Sequence, residues 1–258
     1  MTKHYRRWDD GQPEREWRAL RLLAVHAPDL APVPVHAVLD PAPMVVMSRL
    51  PGAPLGAAPV TTAQLAAMAS AITTLQSAIP ASALTELPPR LGHPAEMLTA
   101  VRTRHTAACL QGVDPLVTRA FDAGADWLFD PGRDAAASAP ATMVLASGDG
   151  NLGNFLWDAG RGRVQLVDFE YSGLAPRAFE LAEIAEHISM WSGGAVDPRA
   201  LLEHFDLTGG EAVLLCEFRR LLAIWWLLAL LPNGGAAHAR NPAATVQLQA
   251  DRLLALLG

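Results

Sequence analysis

Lysine is almost missing from this chain of 258 residues: of its twenty basic side chains, nineteen are arginine and one, Lys3, is lysine. Cysteine is nearly as scarce. Cys109 and Cys216 stand apart in apolar or mixed helical stretches, with no C-x-x-C and no nearby Cys/His ligand set, so both are expected as reduced core residues. Long apolar runs are also absent. The longest, residues 221–231, is closed by Pro232 and falls well short of the ~20 residues that cross a bilayer, which predicts a buried helix instead. The N-terminus is polar and leads into no apolar segment of the signal-peptide kind, so a cytoplasmic setting without a membrane partner is expected. Positive charge is in deficit. A formal charge of −6 argues against nucleic acid as a partner, since neutralising phosphates takes clustered Lys and Arg, and suits a cationic substrate better.

What is present is core-forming material. A hydrophobic content of 51% and this length suffice for one large domain or two small lobes. Trp17, Leu20 and Leu23 recur at three-residue spacing behind Pro13, with Arg15, Arg18 and Arg21 elsewhere, which predicts an amphipathic helix over 14–26. Two β-prone runs, 33–38 and 44–47, flank the turn Asp40-Pro41-Ala42-Pro43 and predict a small sheet. Past Leu50-Pro51-Gly52 the composition shifts to Ala, Leu and Thr. Helices are expected over 62–79, 94–110 and 115–129, and a loop over 130–140. A strand at 142–145 follows, then a hairpin of 154–157 and 163–167 across Asp158-Ala159-Gly160-Arg161-Gly162, then helices from Phe179. The composition shift near residue 52 divides the chain into 1–52 and 53–258.

Chemistry concentrates in Ser147-Gly148-Asp149-Gly150-Asn151-Leu152-Gly153-Asn154 and Val167-Asp168-Phe169-Glu170. Asp149 and Asn154 have the D-x-x-x-x-N spacing of a phosphoryl-transfer loop, in which the Asp meets an acceptor hydroxyl and the Asn binds a metal. Asp168 lies fourteen residues after Asn154. A hairpin between them would double the chain back and bring two hard oxygen ligands together, as Mg²⁺ requires.

These residues resemble the aminoglycoside phosphotransferase and choline kinase family, whose loop commonly reads H-G-D-x-x-x-x-N, followed by hydrophobic-Asp-aromatic-Glu and then F-D-L-A. The matches are Gly148-Asp149, Asn154, Val167-Asp168-Phe169-Glu170 and Phe179-Glu180-Leu181-Ala182. The resemblance implies an α+β, bilobal protein-kinase-like fold with a β-containing N-terminal lobe (1–52) and a mainly helical C-terminal lobe (53–258). It implies an ATP- or GTP-dependent kinase using Mg²⁺, with a small-molecule hydroxyl as acceptor. Asp149 is then the catalytic residue, Asn154 and Asp168 the metal ligands, Lys3 the nucleotide lysine and Glu16 its ion-pair partner. Met47, Ser48 and Leu50 take the place of the hinge whose backbone faces adenine. Retention of the single lysine at this place fits, because a compact ammonium can approach phosphate oxygens while paired to Glu16.

Three departures stand beside the matches. Ser147 replaces the usual His, Glu180 replaces the usual Asp, and only Met1 and Thr2 precede Lys3 where the family places two strands and a phosphate-covering loop. The expected N-terminal lobe is accordingly a reduced one. The alternative function is a catalytically impaired, kinase-like nucleotide-binding protein.

Other readings of the same residues are weaker. The run from Gly148 to Gly153 spells G-x-G-x-x-G, but a dinucleotide site needs a helix and then a second strand before its acidic residue, and the interval to Asp168 is too short for both. A calcium loop starting at Asp149 would need an acidic twelfth residue and has Gly160. A serine hydrolase would need a G-x-S-x-G frame around Ser147, which is missing. Glu170, Glu183 and Glu186 are candidate contacts for a cationic acceptor. His187, on a helix expected over 179–191, is read as a surface or satisfied core residue rather than a pocket-lining one.

Overall fold

A computed structural model describes residues 1–6, 8–56 and 58–258. In chain order its elements are β1 (Thr2–His4), α1 (Gln12–His26), β2 (Pro34–Val38), β3 (Met44–Met47), β4 (Ala53–Pro54), α2 (Thr62–Ser77), α3 (Ala81–Leu84), α4 (Pro94–Thr106), α5 (Pro115–Leu128), α6 (Gly132–Ala137), β5 (Met143–Ala146), a 3₁₀ turn (Leu152–Asn154), β6 (Phe155–Asp158), β7 (Arg163–Leu166), β8 (Gly173–Pro176), α7 (Arg177–Glu186), α8 (Ile188–Trp191), a second 3₁₀ turn (Ser192–Gly194), α9 (Pro198–Leu202), α10 (Gly209–Leu230), α11 (Ala236–Arg240) and α12 (Thr245–Leu257). They form two compact units, residues 1–91 with 142–207, and residues 92–141 with 208–258. The composition break near residue 52 lies inside the first unit, between β3 and β4.

In the first unit β1, β3 and β2 make an antiparallel sheet in that order, with Lys3 opposite Val45. α1 packs on β2 and β3 and buries Ala19, Leu20, Leu23 and, unusually for a carboxylate, Glu16. The hydrophobic spacing read from the sequence therefore places an acidic group under the sheet. A second sheet, β4-β6-β7, contains the expected hairpin, with Phe155 opposite Leu166 and Asp158 opposite Arg163. β5 pairs with β8, a strand the sequence pattern did not announce. α2 begins at a Thr61/Gln64 capping box and packs on β5 and β7.

The second unit is helical. α10 packs against α12 and α4, and α12 against α5, around Val101, Val117, Leu128, Leu227 and Leu253. The apolar run 221–231 is the interior of α10 and its end, as expected. Among the described residues no helix is long and apolar enough to cross a membrane.

Three local expectations are corrected. Residues 130–140 are not all loop: Asp130 accepts the N–H of Gly132 at 2.7 Å and alanine-rich α6 follows, because alanine's helix propensity outweighs the flanking breakers. The helix expected over 179–191 breaks at His187 into α7 and α8. Cys109 and Cys216 are exposed, not core residues.

Candidate active site

β5 delivers the chain to a loop pinned at nearly every residue. Ser147 donates its N–H (2.8 Å) and its Oγ–H (2.6 Å) to Glu180 Oε1 on α7. Glu180 is fully buried, and burial raises its pKa against the opposing influence of Arg90 and the Ser147 bonds. Gly148 has φ +81°, and a Cβ there would collide with the Tyr171 carbonyl. At Gly150 a Cβ would lie 2.5 Å from Glu183 O, so the loop presses directly on the α7 backbone. These glycines serve close packing, and Gly153 is followed by β6, not by the helix a dinucleotide site demands.

The loop holds Asp149 by both oxygens. Oδ1 accepts the Asn151 N–H at 3.0 Å and Oδ2 accepts Asn154 Nδ2 at 3.2 Å. Because Asn154 spends its NH₂ on Asp149, its Oδ1 is left as an oxygen ligand. The β6–β7 ladder continues one step further, Val167 N–H donating to Asn154 O at 3.0 Å, so Asp168 emerges beside Asn154 as the hairpin argument anticipated. Asp168 has φ +69°, a left-handed conformation that costs a non-glycine residue energy and clusters at functional sites. Phe169, next to it, is fully buried and anchors the turn.

Lys3 reaches this point from β1. Its Nζ lies 2.6 Å from Glu16 Oε2 and 3.0 Å from Glu170 Oε2, and it also bonds to Asp168 Oδ1. Burial opposes the ammonium, yet Glu16 and Asp168 outweigh it and hold the Lys3 pKa above its ordinary value. For Glu16 the balance reverses, and burial raises its pKa despite Lys3. Tyr5, which the sequence reading did not select, donates its hydroxyl to Glu16 Oε2. Burial and the Glu16 charge together push that phenol upward and keep it a donor.

The hinge candidates differ from one another. Met47 bonds through both its N–H and C=O to Met1, at 2.9 and 2.6 Å, and the Ser48 N–H donates to Val33 O at 2.9 Å. Among the described residues, the Leu50 backbone makes no such bond.

Arg90 was also missed. This buried arginine donates to Gly148 O (3.2 Å), Glu183 Oε2 (3.1 Å) and Leu91 O (2.9 Å), with its guanidinium 5.0 Å from the Phe179 ring centroid. No sequence signal marks it, since its partners beyond Leu91 come from two distant segments, the loop at Gly148 and α7. Of the carboxylates considered for a cationic acceptor, Glu170 pairs with Lys3, Glu183 pairs with Arg90, and Glu186 is fully buried. Glu183 and Glu186 are thus held within the fold, whereas Glu170 belongs to the Lys3 cluster.

The donor set suits a hard cation. Asn154 Oδ1 and the Asp168 carboxylate are oxygen donors at the base of one β-hairpin, and the Lys3 ammonium already sits where Glu16, Asp168 and Glu170 converge within 4.8 Å of one another. A family model described as the phosphotransferase enzyme family matches residues 2–214. The chain belongs to that family. No curated protein matches this member of the phosphotransferase family. Solved structures do. A choline kinase from Streptococcus pneumoniae superposes with a TM-score of 0.63 at 15% identity, covering 99% of this chain and 84% of that one. A macrolide 2'-phosphotransferase from Brachybacterium faecium gives 0.55 at 22% identity, covering 95% and 83%. A spectinomycin phosphotransferase in complex with ADP and spectinomycin gives 0.58 at 14% identity, covering 98% and 86%. The phosphotransferase therefore has the protein-kinase-like fold that aminoglycoside phosphotransferases and choline kinases share.

Proposed function

We propose that this phosphotransferase moves the γ-phosphoryl group of ATP, or of GTP, to a hydroxyl of a small molecule in the cytoplasm. The observation that carries this reading is the linked set Asp149, Asn154, Asp168, Lys3 and Glu16: side-chain bonds join Asn154 to Asp149 and Lys3 to both Glu16 and Asp168, and the β-hairpin joins the two groups. Asp149 orients the acceptor hydroxyl and takes its proton as the new O–P bond forms and the bond to the departing nucleotide diphosphate breaks. Lys3 shifts from Asp168 toward the nucleotide phosphates, with Glu16 and Tyr5 holding it in place. Asn154 and Asp168 would hold Mg²⁺, which would neutralise charge on the transferring phosphoryl oxygens. Adenine would face the hinge at Leu50, the candidate position whose backbone groups are not engaged in a bond among the described residues.

The acceptor class follows only coarsely. Related folds act on choline, spectinomycin and a macrolide, which supports a polyfunctional alcohol as acceptor. The pairing of Glu183 with Arg90 and the burial of Glu186 argue against those two residues as contacts for a cationic one.

A second reading, nucleotide binding with impaired catalysis, is favoured by the Lys3–Asp168 pair, which ties the phosphate ligand to the metal ligand. Isothermal titration with Mg·ATP, followed by ADP release in the presence of aminoglycosides, a macrolide, choline and simple alcohols, separates the two. Acceptor-stimulated ADP release that vanishes in Asp149→Asn is the expected result; tight Mg·ATP binding with no stimulation by any acceptor would transfer the case to the second reading.

A further inference from the structure

His187 stands where the expected helix breaks. α7 ends at Glu186, His187 takes an extended conformation (φ −60°, ψ 133°), and α8 starts again at Ile188. Its side chain caps α8, a task that usually falls to Ser, Thr, Asp or Asn. The Ser189 N–H donates to His187 Nδ1 at 3.2 Å, and Ser189 Oγ lies 2.8 Å from the same nitrogen. On the other side of the ring, Nε2 is 3.6 Å from Asp149 Oδ1.

The direction of these bonds is set by two backbone donors, the N–H groups of Ser189 and Leu152. Leu152 N–H, which can only donate, points at Ser189 Oγ at 2.8 Å. Ser189 Oγ therefore accepts from Leu152 and keeps its own proton available for His187 Nδ1, while the Ser189 N–H, a donor only, requires Nδ1 to accept. With Nδ1 receiving an O–H and an N–H, a neutral ring must hold its proton on Nε2, facing Asp149. Such a ring has no lone pair left for the carboxylate side, so His187 is excluded as a base competing with Asp149. Burial keeps the imidazole pKa below its ordinary value, against the opposing charges of Asp149 and Glu183.

We propose that His187 is a positioning residue for Asp149, a neutral imidazole whose Nε2–H closes on Oδ1 and fixes the plane of the carboxylate. The role rests on the assignment of Asp149 as the group that receives the acceptor's proton. A carboxylate has about four lone-pair sites. Asn151 N–H and Asn154 Nδ2 fill two, His187 Nε2–H fills a third, and one is left for the acceptor hydroxyl. At 3.6 Å the third contact is longer than a hydrogen bond, and a small rotation of the carboxylate as it takes up the hydroxyl closes it, in the way catalytic contacts tighten in the reacting complex. The same chain ties Leu152, within the loop, to Asp149 through α8, so the helix break serves the loop.

Two measurements test this. Long-range ¹H–¹⁵N spectra of histidine-labelled protein read the tautomer without reference to activity. A neutral His187 with its proton on Nε2 near pH 7 is expected, and an Nδ1–H tautomer or an imidazolium would overturn the proposal. Turnover of Mg·ATP with water as acceptor is then compared between wild type, His187→Ala and His187→Gln. Loss of about 10- to 100-fold in kcat in the alanine variant is expected, the worth of one hydrogen bond to a charged group, with KM for ATP unchanged and substantial recovery in the glutamine variant, whose amide N–H can still reach Asp149. An alanine variant with wild-type kcat would sink the role of His187 while leaving the phosphotransferase reading intact. Wild-type turnover that Asp149→Asn fails to reduce would instead remove the reading of Asp149 on which the role depends.

Discussion

Ser147 and Glu180 meet through a single oxygen: the backbone N–H and the hydroxyl of Ser147 both donate to Glu180 Oε1, at 2.8 and 2.6 Å. Taken separately, these residues are two departures from a pattern that commonly has His and Asp. Taken together they compensate, because the longer carboxylate reaches a residue that lacks a ring to pack against it. Glu180→Asp withdraws the carboxylate by about 1.5 Å. It is expected to cost about 1–3 kcal/mol in urea unfolding, and its cycle with Ser147→Ala should show coupling of about 1 kcal/mol. Strict additivity of the two changes would mean that the residues act independently.

Burial raises the Glu180 pKa above its ordinary 4.5, which sets a sign for the pH dependence of stability. A group that holds its proton more tightly when folded stabilises fully below its unfolded pKa, and that contribution fades as pH climbs toward the folded pKa. Glu180→Gln removes the titration and keeps a neutral side chain of the same shape. The melting temperature of the variant should therefore gain on wild type as pH rises from 4 through the carboxylate range, and a gap that is flat or narrows with pH contradicts the assignment.

Asp149 and Lys3 should fail differently. Asp149→Asn removes the proposed proton acceptor and is expected to lower kcat by about 10²- to 10⁴-fold while the Kd for Mg·ATP stays within a few-fold. Lys3→Met should chiefly weaken nucleotide binding, by about 10- to 100-fold, and should also cost stability, since Glu16, Asp168 and Glu170 lose their shared cation. Calorimetric titration beside single-turnover kinetics separates the two phenotypes. Equal losses of binding in both variants would argue against the division of roles.

Gly150→Ala probes the contact between the loop and α7. A Cβ 2.5 Å from Glu183 O and 2.7 Å from Ile184 Cα has backbone on its far side and cannot be relieved by a rotamer change. The expected cost is about 1–3 kcal/mol with a fall in kcat, as Asp149 shifts with the loop. Chemical denaturation and turnover of the same preparation decide it, and a neutral substitution would show that the loop is free to lift.

The sequence made the loop and the hairpin that follows it legible because these are local. The spacing of Asp149 and Asn154 is a property of one stretch of backbone, and the turn residues 158–162 make the hairpin that returns the chain to Asp168 nearly unavoidable. Helical periodicity in α1 and the apolar interior of α10 were readable for the same reason: neighbours three and four residues apart decide them. Arg90 and Tyr5 could not be read. Each acts through partners 58, 93 or 11 residues away, and no local pattern records such a contact.

By itself, then, the sequence determined the spacing and order of the loop and hairpin residues Asp149, Asn154 and Asp168, with one lysine kept among arginines. The loop's glycines left two chemistries open, and what followed them, a strand and not a helix, closed one. Only the tertiary structure decided how those groups are held. It turned Ser147 and Glu180 from two anomalies into one pair, engaged the Met47 N–H and C=O with Met1 and the Ser48 N–H with Val33, paired Glu183 with Arg90 and buried Glu186. It also broke a helix at His187 and turned that ring toward Asp149. The physical reason is that covalent spacing sets which groups can be neighbours along a turn or hairpin, whereas burial and the pairing of distant polar groups depend on how the whole unit packs.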